Sequence, residues 1–63
     1  MIHFVEQFLQ TLDDILDGAS RSETYSFLRG ELTAFFAMGY VTEDEYAHYS
    51  KALLNKEFNN EKN

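Results

Sequence analysis

The sequence predicts an all-α fold, a small antiparallel three-helix bundle that homodimerisation would complete. Apolar residues recur at helical spacing in three segments, about residues 2–17, 21–38 and 43–58. The connections between these segments are short and the chain contains no proline, which favours helices that run antiparallel to their neighbours. We assign residues 1–58 to a single helical domain and residues 59–63 to a frayed polar tail.

The first predicted helix is amphipathic. Its apolar side chains share one arc of the helical wheel, while acidic and amide side chains occupy the other side. Gly18 is predicted to end this helix in the left-handed conformation that commonly follows a helix. The apolar arc consists of Ile2, Phe4, Val5, Phe8, Leu9, Leu12, Ile15 and Leu16.

The central helix is bounded by local signals at both ends. Ser20 and Glu23 have the spacing of a capping box, in which each side chain bonds the backbone amide of the other residue. At the other end Gly39 is a predicted left-handed stop, and Tyr40 is placed to contact Phe35 as in a Schellman turn. The sequence therefore predicts a helix closed by Gly39.

The third helix begins with a second capping box, formed by Thr42 and Glu45. Val41 and Tyr46 have the spacing of the hydrophobic staple that often accompanies such a cap. The predicted apolar stripe of this helix consists of Tyr46, Tyr49, Leu53 and Leu54.

The back of the central helix is unusual because its side chains are small. Gly30 costs about 1 kcal/mol relative to Ala inside a helix, so its presence asks for a reason. A row of small residues allows a second helix to approach closely, either a neighbour in the bundle or a helix of a second copy. The alternative is an ordinary solvent-facing surface. The row consists of Ser22, Ser26, Gly30, Thr33 and Ala37.

The apolar arc of the central helix is also wider than two neighbouring helices easily cover. Glu31 falls within this arc, where it is either a rim residue that reaches water or a polar pin paired with Arg29, Lys51 or Lys56 of a neighbour. Phe and Tyr are abundant in the chain, and both are enriched at protein interfaces. The candidate interaction residues are Ser26, Phe27, Gly30, Glu31, Ala34 and Met38.

Charge and composition limit the classes of partner. Eleven Asp and Glu against five Lys and Arg give a net charge of −6, which disfavours direct binding to nucleic acid or to an anionic membrane. The N-terminal residues carry no basic leader, and no apolar stretch approaches the roughly 20 residues of a membrane span. With no cysteine, which suits a reducing compartment, these features predict a cytoplasmic protein.

No motif in the sequence predicts catalysis, a metal or a cofactor. Glu45 and His48 have the i, i+3 spacing of some metal-binding helices, but Glu45 is needed by the cap and the second imidazole is distant in sequence. The chain has no glycine-rich phosphate loop and no nucleophile elbow.

Three functions are consistent with this pattern. The first is a small non-catalytic interaction or regulatory module that presents an apolar and acidic helical surface to a protein partner or to itself. The second is an acidic inhibitor or nucleic-acid mimic that occupies a basic groove, and the third is a structural homo-oligomer subunit. The bundle topology is expected to separate the two acidic groups of the mimic. These groups are Asp13, Asp14 and Asp17, and Glu43, Asp44 and Glu45.

Overall fold

A computed structural model gives the backbone of residues 3–62 and the side chains of residues 3–59. This part of the chain folds into three helices and has no strand, so the all-α, three-helix prediction is confirmed. The helices are α1 (His3–Asp17), α2 (Ser22–Ala37) and α3 (Glu43–Lys62).

The helix boundaries agree with the sequence prediction except at the end of α3. The prediction placed this end near residue 58 and a polar tail beyond it, whereas the backbone remains helical to Lys62. The sequence offers no stop signal there, because neither glycine nor proline occurs after Gly39. The predicted first residue of α1, Ile2, and the last residue of the tail, Asn63, lie outside the described residues.

The helices run up, down and up. The Tyr49 hydroxyl donates to Asp13 Oδ1 at 2.8 Å, and Lys56 Nζ donates to the Gly18 carbonyl oxygen at 2.9 Å. From the first contact to the second, the residue number increases in both α1 and α3, so these two helices are parallel. The chain reverses twice between them, which makes α2 antiparallel to both.

The core is small and is built mainly by α1 and α2. Its aliphatic and aromatic side chains pack along the axis of the bundle, where the three helices meet. Among the described side chains of α3, Leu53 is the one that is fully buried. The buried residues are Val5, Leu9, Leu12, Tyr25, Leu28, Leu32, Val41 and Leu53.

An aromatic cluster joins α1 to the end of α2. The ring centroid of Phe35 lies 4.8 Å from that of Phe8 and 5.8 Å from that of Phe4, with the Phe8 pair nearly perpendicular. Tyr40 packs edge-on against Phe4 at 5.7 Å. Such aromatic pairs add about 0.5–1.5 kcal/mol each to the effect of burial, so this cluster holds α1 against the turn.

The turn after α2 is the predicted Schellman turn. Gly39 has φ of 80°, its N–H donates to the Phe36 carbonyl at 3.0 Å, and the Tyr40 N–H donates to the Phe35 carbonyl at 2.9 Å. The Phe35 and Tyr40 rings lie 6.2 Å apart. The predictions for Gly39 and for its accompanying hydrophobic contact are confirmed.

The cap of α3 is also confirmed. The Thr42 N–H donates to Glu45 Oε1 at 2.8 Å, and the Glu45 N–H donates to Thr42 Oγ1 at 3.1 Å. These reciprocal bonds satisfy two amides at the helix start, where no carbonyl of the preceding turn is available.

The cap predicted for α2 was wrong. The N-cap residue is Arg21, which makes no side-chain capping bond and pairs instead with Glu23 at 3.1 Å. The Ser20 N–H donates to the hydroxyl of Tyr25 at 2.8 Å. Because the Tyr25 ring is buried, its hydroxyl needs a partner, and it takes the amide that the capping box would have used.

The prediction that Gly18 adopts a left-handed conformation was also wrong. Among the described residues only Gly39 has a positive φ. The Gly18 N–H donates to the Ile15 carbonyl at 3.3 Å, so α1 ends in a tightened last turn.

We expect Thr42→Ala to destabilise the fold and Ser20→Ala to have little effect. Loss of the Thr42 hydroxyl removes a capping bond, at a cost of about 1 kcal/mol. The Ser20 amide keeps its bond to Tyr25 when the side chain is removed, so the change should stay below about 0.5 kcal/mol. Urea unfolding of both variants measures the difference, and an equal loss would mean that Ser20 also caps.

Candidate interaction surface

The candidate interaction residues lie on the outer side of α2, directed away from the core. Phe27 and Met38 are 68% and 55% exposed, and Glu31 is half-buried. For large apolar side chains these exposures are high, because such residues are the ones that most often fill a core. The remaining candidates, Ser26, Gly30 and Ala34, are exposed.

The sequence prediction missed two further residues, on α3. Leu54 was assigned to the buried stripe, but it is 50% exposed, and Phe58 is 55% exposed. Leu53 occupies the core position, and its neighbour Leu54 is turned about 100° away from it around the helix. Leu54 and Phe58 are spaced i, i+4, a second apolar stripe that a helical wheel of α3 alone would have revealed.

The candidate residues of α2 and the second apolar stripe of α3 flank one outer surface. We call this surface the α2/α3 face and define it by Ser26, Phe27, Gly30, Leu54 and Phe58. A hydrogen-bonded ion pair between Arg29 and Glu57 holds the two helices together beneath it, with a distance of 2.9 Å. Since α2 and α3 are antiparallel, this register places Gly30 near the level of Leu54.

Gly30 does not accommodate a close helix–helix approach within the chain. A Cβ atom built on Gly30 would meet no heavy atom within 4 Å. The hypothesis that a neighbouring helix of the chain packs closely against Gly30 is therefore wrong, although Thr33 of the same row contacts α3, with its hydroxyl 3.3 Å from that of Tyr46. The space above Gly30 is open, so it is occupied either by solvent or by a partner outside the chain.

A shallow depression of about 440 Å³ continues the face toward the start of α2. It is open to solvent, and the exposed ring of Phe27 forms part of its wall. Glu23 and Glu57 also line it, and each carboxylate is held by an arginine of the same chain. The remaining lining residues are Ser22 and Ser26.

The cations proposed as partners of Glu31 are largely used elsewhere. Arg29 is paired with Glu57, and Lys56 donates to the Gly18 carbonyl. A polar pin formed by Glu31 with either of them would have to break an existing contact. Lys51, which is exposed, is the remaining candidate.

One residue of each acidic group acts on the Tyr49 hydroxyl. Tyr49 donates to Asp13 from the side of α3, one helical turn after Glu45. Burial, the hydrogen bond to Asp13 and the charges of Asp13 and Glu45 raise the pKa of Tyr49 to about 12. Asp13 and Glu45 therefore act on one hydroxyl, although the expected topology separated their groups. The described contacts do not join Asp14, Asp17, Glu43 or Asp44 to them.

The Glu45 and His48 pair is not arranged as a metal site. The Glu45 carboxylate bonds the Thr42 amide, and the His48 ring packs against Tyr49 at 4.9 Å. Across residues 3–59, no group of three or more potential metal ligands converges.

We expect opposite effects from Ala at two glycines. Gly30→Ala should stabilise the fold by about 1 kcal/mol, because the site is helical and has open space. Gly39→Ala should destabilise it by at least about 1 kcal/mol, because its positive φ is strained for a residue with a Cβ. Thermal or urea unfolding at low protein concentration tests both. A loss of stability in Gly30→Ala would show that the site is not open.

We expect the pKa of Tyr49 to appear as a tyrosine ionisation near pH 12 that depends on Asp13. Because the folded-state pKa lies above the ordinary value of 10.0, the contribution of Tyr49 to the free energy of unfolding is complete below pH 10. This contribution is lost as the pH rises toward 12. Ultraviolet titration measures the ionisation of the tyrosine. Asp13→Asn should shift this ionisation to lower pH, whereas Asp14→Asn should not, since Asp14 is bonded to Gln10.

Comparison with known proteins adds no functional assignment. The chain matches no protein-family model, no curated protein and no solved structure. Within its described part, no helix has the length and apolarity that crossing a membrane requires.

Proposed function

We propose that the chain is a small, non-catalytic interaction module that binds another polypeptide through the α2/α3 face. The observation that carries this proposal is the exposure of Phe27, an aromatic side chain that is 68% accessible on a helix whose other side forms the core. Leu54 and Phe58 are exposed on the neighbouring helix α3. Several large apolar side chains exposed on two neighbouring helices favour a docking site.

A non-catalytic role is favoured by the shape of the surface. The depression beside Phe27 is open, whereas an active site generally encloses its substrate and converges several polar groups on it. Its carboxylates, Glu23 and Glu57, are each engaged in an ion pair. This surface therefore provides a partner with area for contact.

The partner is proposed to be a protein. The net charge of −6 opposes phosphate backbones and anionic lipid, whereas the exposed apolar side chains of α2 and α3 suit the apolar side of another helix. We place the module in the cytoplasm, because a chain without cysteine fits a reducing compartment.

An acidic inhibitor or nucleic-acid mimic is the second candidate. It is favoured by the contact between Tyr49 and Asp13, which brings the Asp13 carboxylate of α1 to the side of α3 that carries Glu45. Such a protein would bind a basic groove through charge, and its affinity would fall steeply with salt. The third candidate, a structural homo-oligomer subunit, uses the α2/α3 face with a second copy as partner.

Site-specific photo-crosslinking in cells tests the proposed face. A photoreactive phenylalanine in place of Phe27 should form an adduct with a protein, because this ring is expected to lie in the interface. The same residue in place of Gln7, which is exposed on α1, should not. The adduct from position 27 should form at both low and high salt, since apolar contacts are not screened.

The control at position 7 decides whether the adduct is specific. Equal yields from the two positions, or none from position 27, would contradict the proposed face. An adduct from position 27 that disappears at high salt would favour the acidic candidate. The mass of the adduct separates a second copy of the chain from a different protein.

A further inference from the structure

We infer that the occupant of the α2/α3 face is a second copy of the chain, related to the first by a two-fold axis. This inference rests on the proposed function of the face and names its partner. In such a dimer the same surface serves both copies, so it must be compatible with itself in charge, shape and size.

Two carboxylates beside the face are paired within the chain. Glu23 pairs with Arg21 at 3.1 Å, and Glu57 pairs with Arg29 at 2.9 Å. Glu31, half-buried on the outer side of α2, forms no ion pair with a described Lys or Arg. The exposed Lys51, one turn from Leu54 on α3, is the cation that a second copy could bring to it.

Apart from Glu31, the described acids without an ion pair lie elsewhere on the molecule. They are on α1 and in the first turn of α3, where no described Lys or Arg forms an ion pair with them. A dimer formed through the α2/α3 face leaves them in solvent, where repulsion between copies is screened beyond about 10 Å at ordinary salt. These acids are Glu6, Asp13, Asp14, Asp17, Glu43, Asp44 and Glu45.

The face also carries bulky and small side chains side by side. Leu54 and Phe58 project from α3, and the open position of Gly30 lies near the level of Leu54 on α2. A two-fold axis through the face brings the projecting side chains of each copy toward the small residues of the other. Packing ridges into grooves in this way is the usual mode of helix association.

Dimerisation would also supplement a small core. Eight of the described residues are buried, and five of these are fully buried, which is few for an independent fold.

Sedimentation velocity on the purified chain tests this inference. We expect a dimer at tens of micromolar, and we expect Gly30→Leu and Leu54→Glu each to weaken it by about tenfold or more. Gly30→Leu fills the open groove while leucine favours the helix, so its fold should be retained. Raised salt should strengthen the wild-type dimer, because it screens the repulsion between two chains of charge −6.

Gln10→Leu is the matched control, because it adds the same side chain on the exposed side of α1. It should leave the dimer unchanged, and circular dichroism should show the same helix content in all variants. A dimer that persists equally in Gly30→Leu and Leu54→Glu would overturn the inference, since association would then use another surface.

The two proposals fail separately. A monomer at every concentration, together with an adduct from position 27 to a different protein, would overturn the second-copy inference and leave the interaction module intact. A monomer with no adduct at position 27 would overturn both. A dimer lost in Gly30→Leu but kept in Gln10→Leu would support both.

Discussion

The turn between α2 and α3 is the constraint on which the rest of the structure depends. The carbonyl of Phe35 accepts the bond from Tyr40 that closes α2, and Gly39 supplies the positive φ that reverses the chain. The ring of the same Phe35 packs against Phe4 and Phe8 of α1. One residue thus couples the end of α2, the direction of α3 and the position of α1.

The exposed face follows from this arrangement. Once the turn sets α2 and α3 side by side, α1 covers only one side of the pair, and Leu28, Leu32 and Leu53 are buried there. No helix of the described residues covers the opposite side. Phe27 and Leu54 are therefore exposed to solvent because of the topology of the bundle.

Sequence reasoning succeeded mainly where the determining contacts are local, although the local prediction of a left-handed Gly18 was wrong. The Thr42 cap and the Gly39 turn were predicted because their bonds span at most five residues. The Ser20 cap failed because the amide is taken by Tyr25, a residue whose burial depends on the whole bundle.

The same distinction applies to the candidate surface. Its α2 half was visible as a wide apolar arc that includes Phe27. Its α3 half was missed because Leu53 and Leu54 are adjacent, and only the fold decides which of them faces the core.

The distribution of charge would limit the number of chains that can associate. The proposed two-fold contact would use the apolar face of both copies and leave the acids of α1 outside, where they would oppose the addition of further chains. The proposed contact would therefore favour a closed pair over an open assembly.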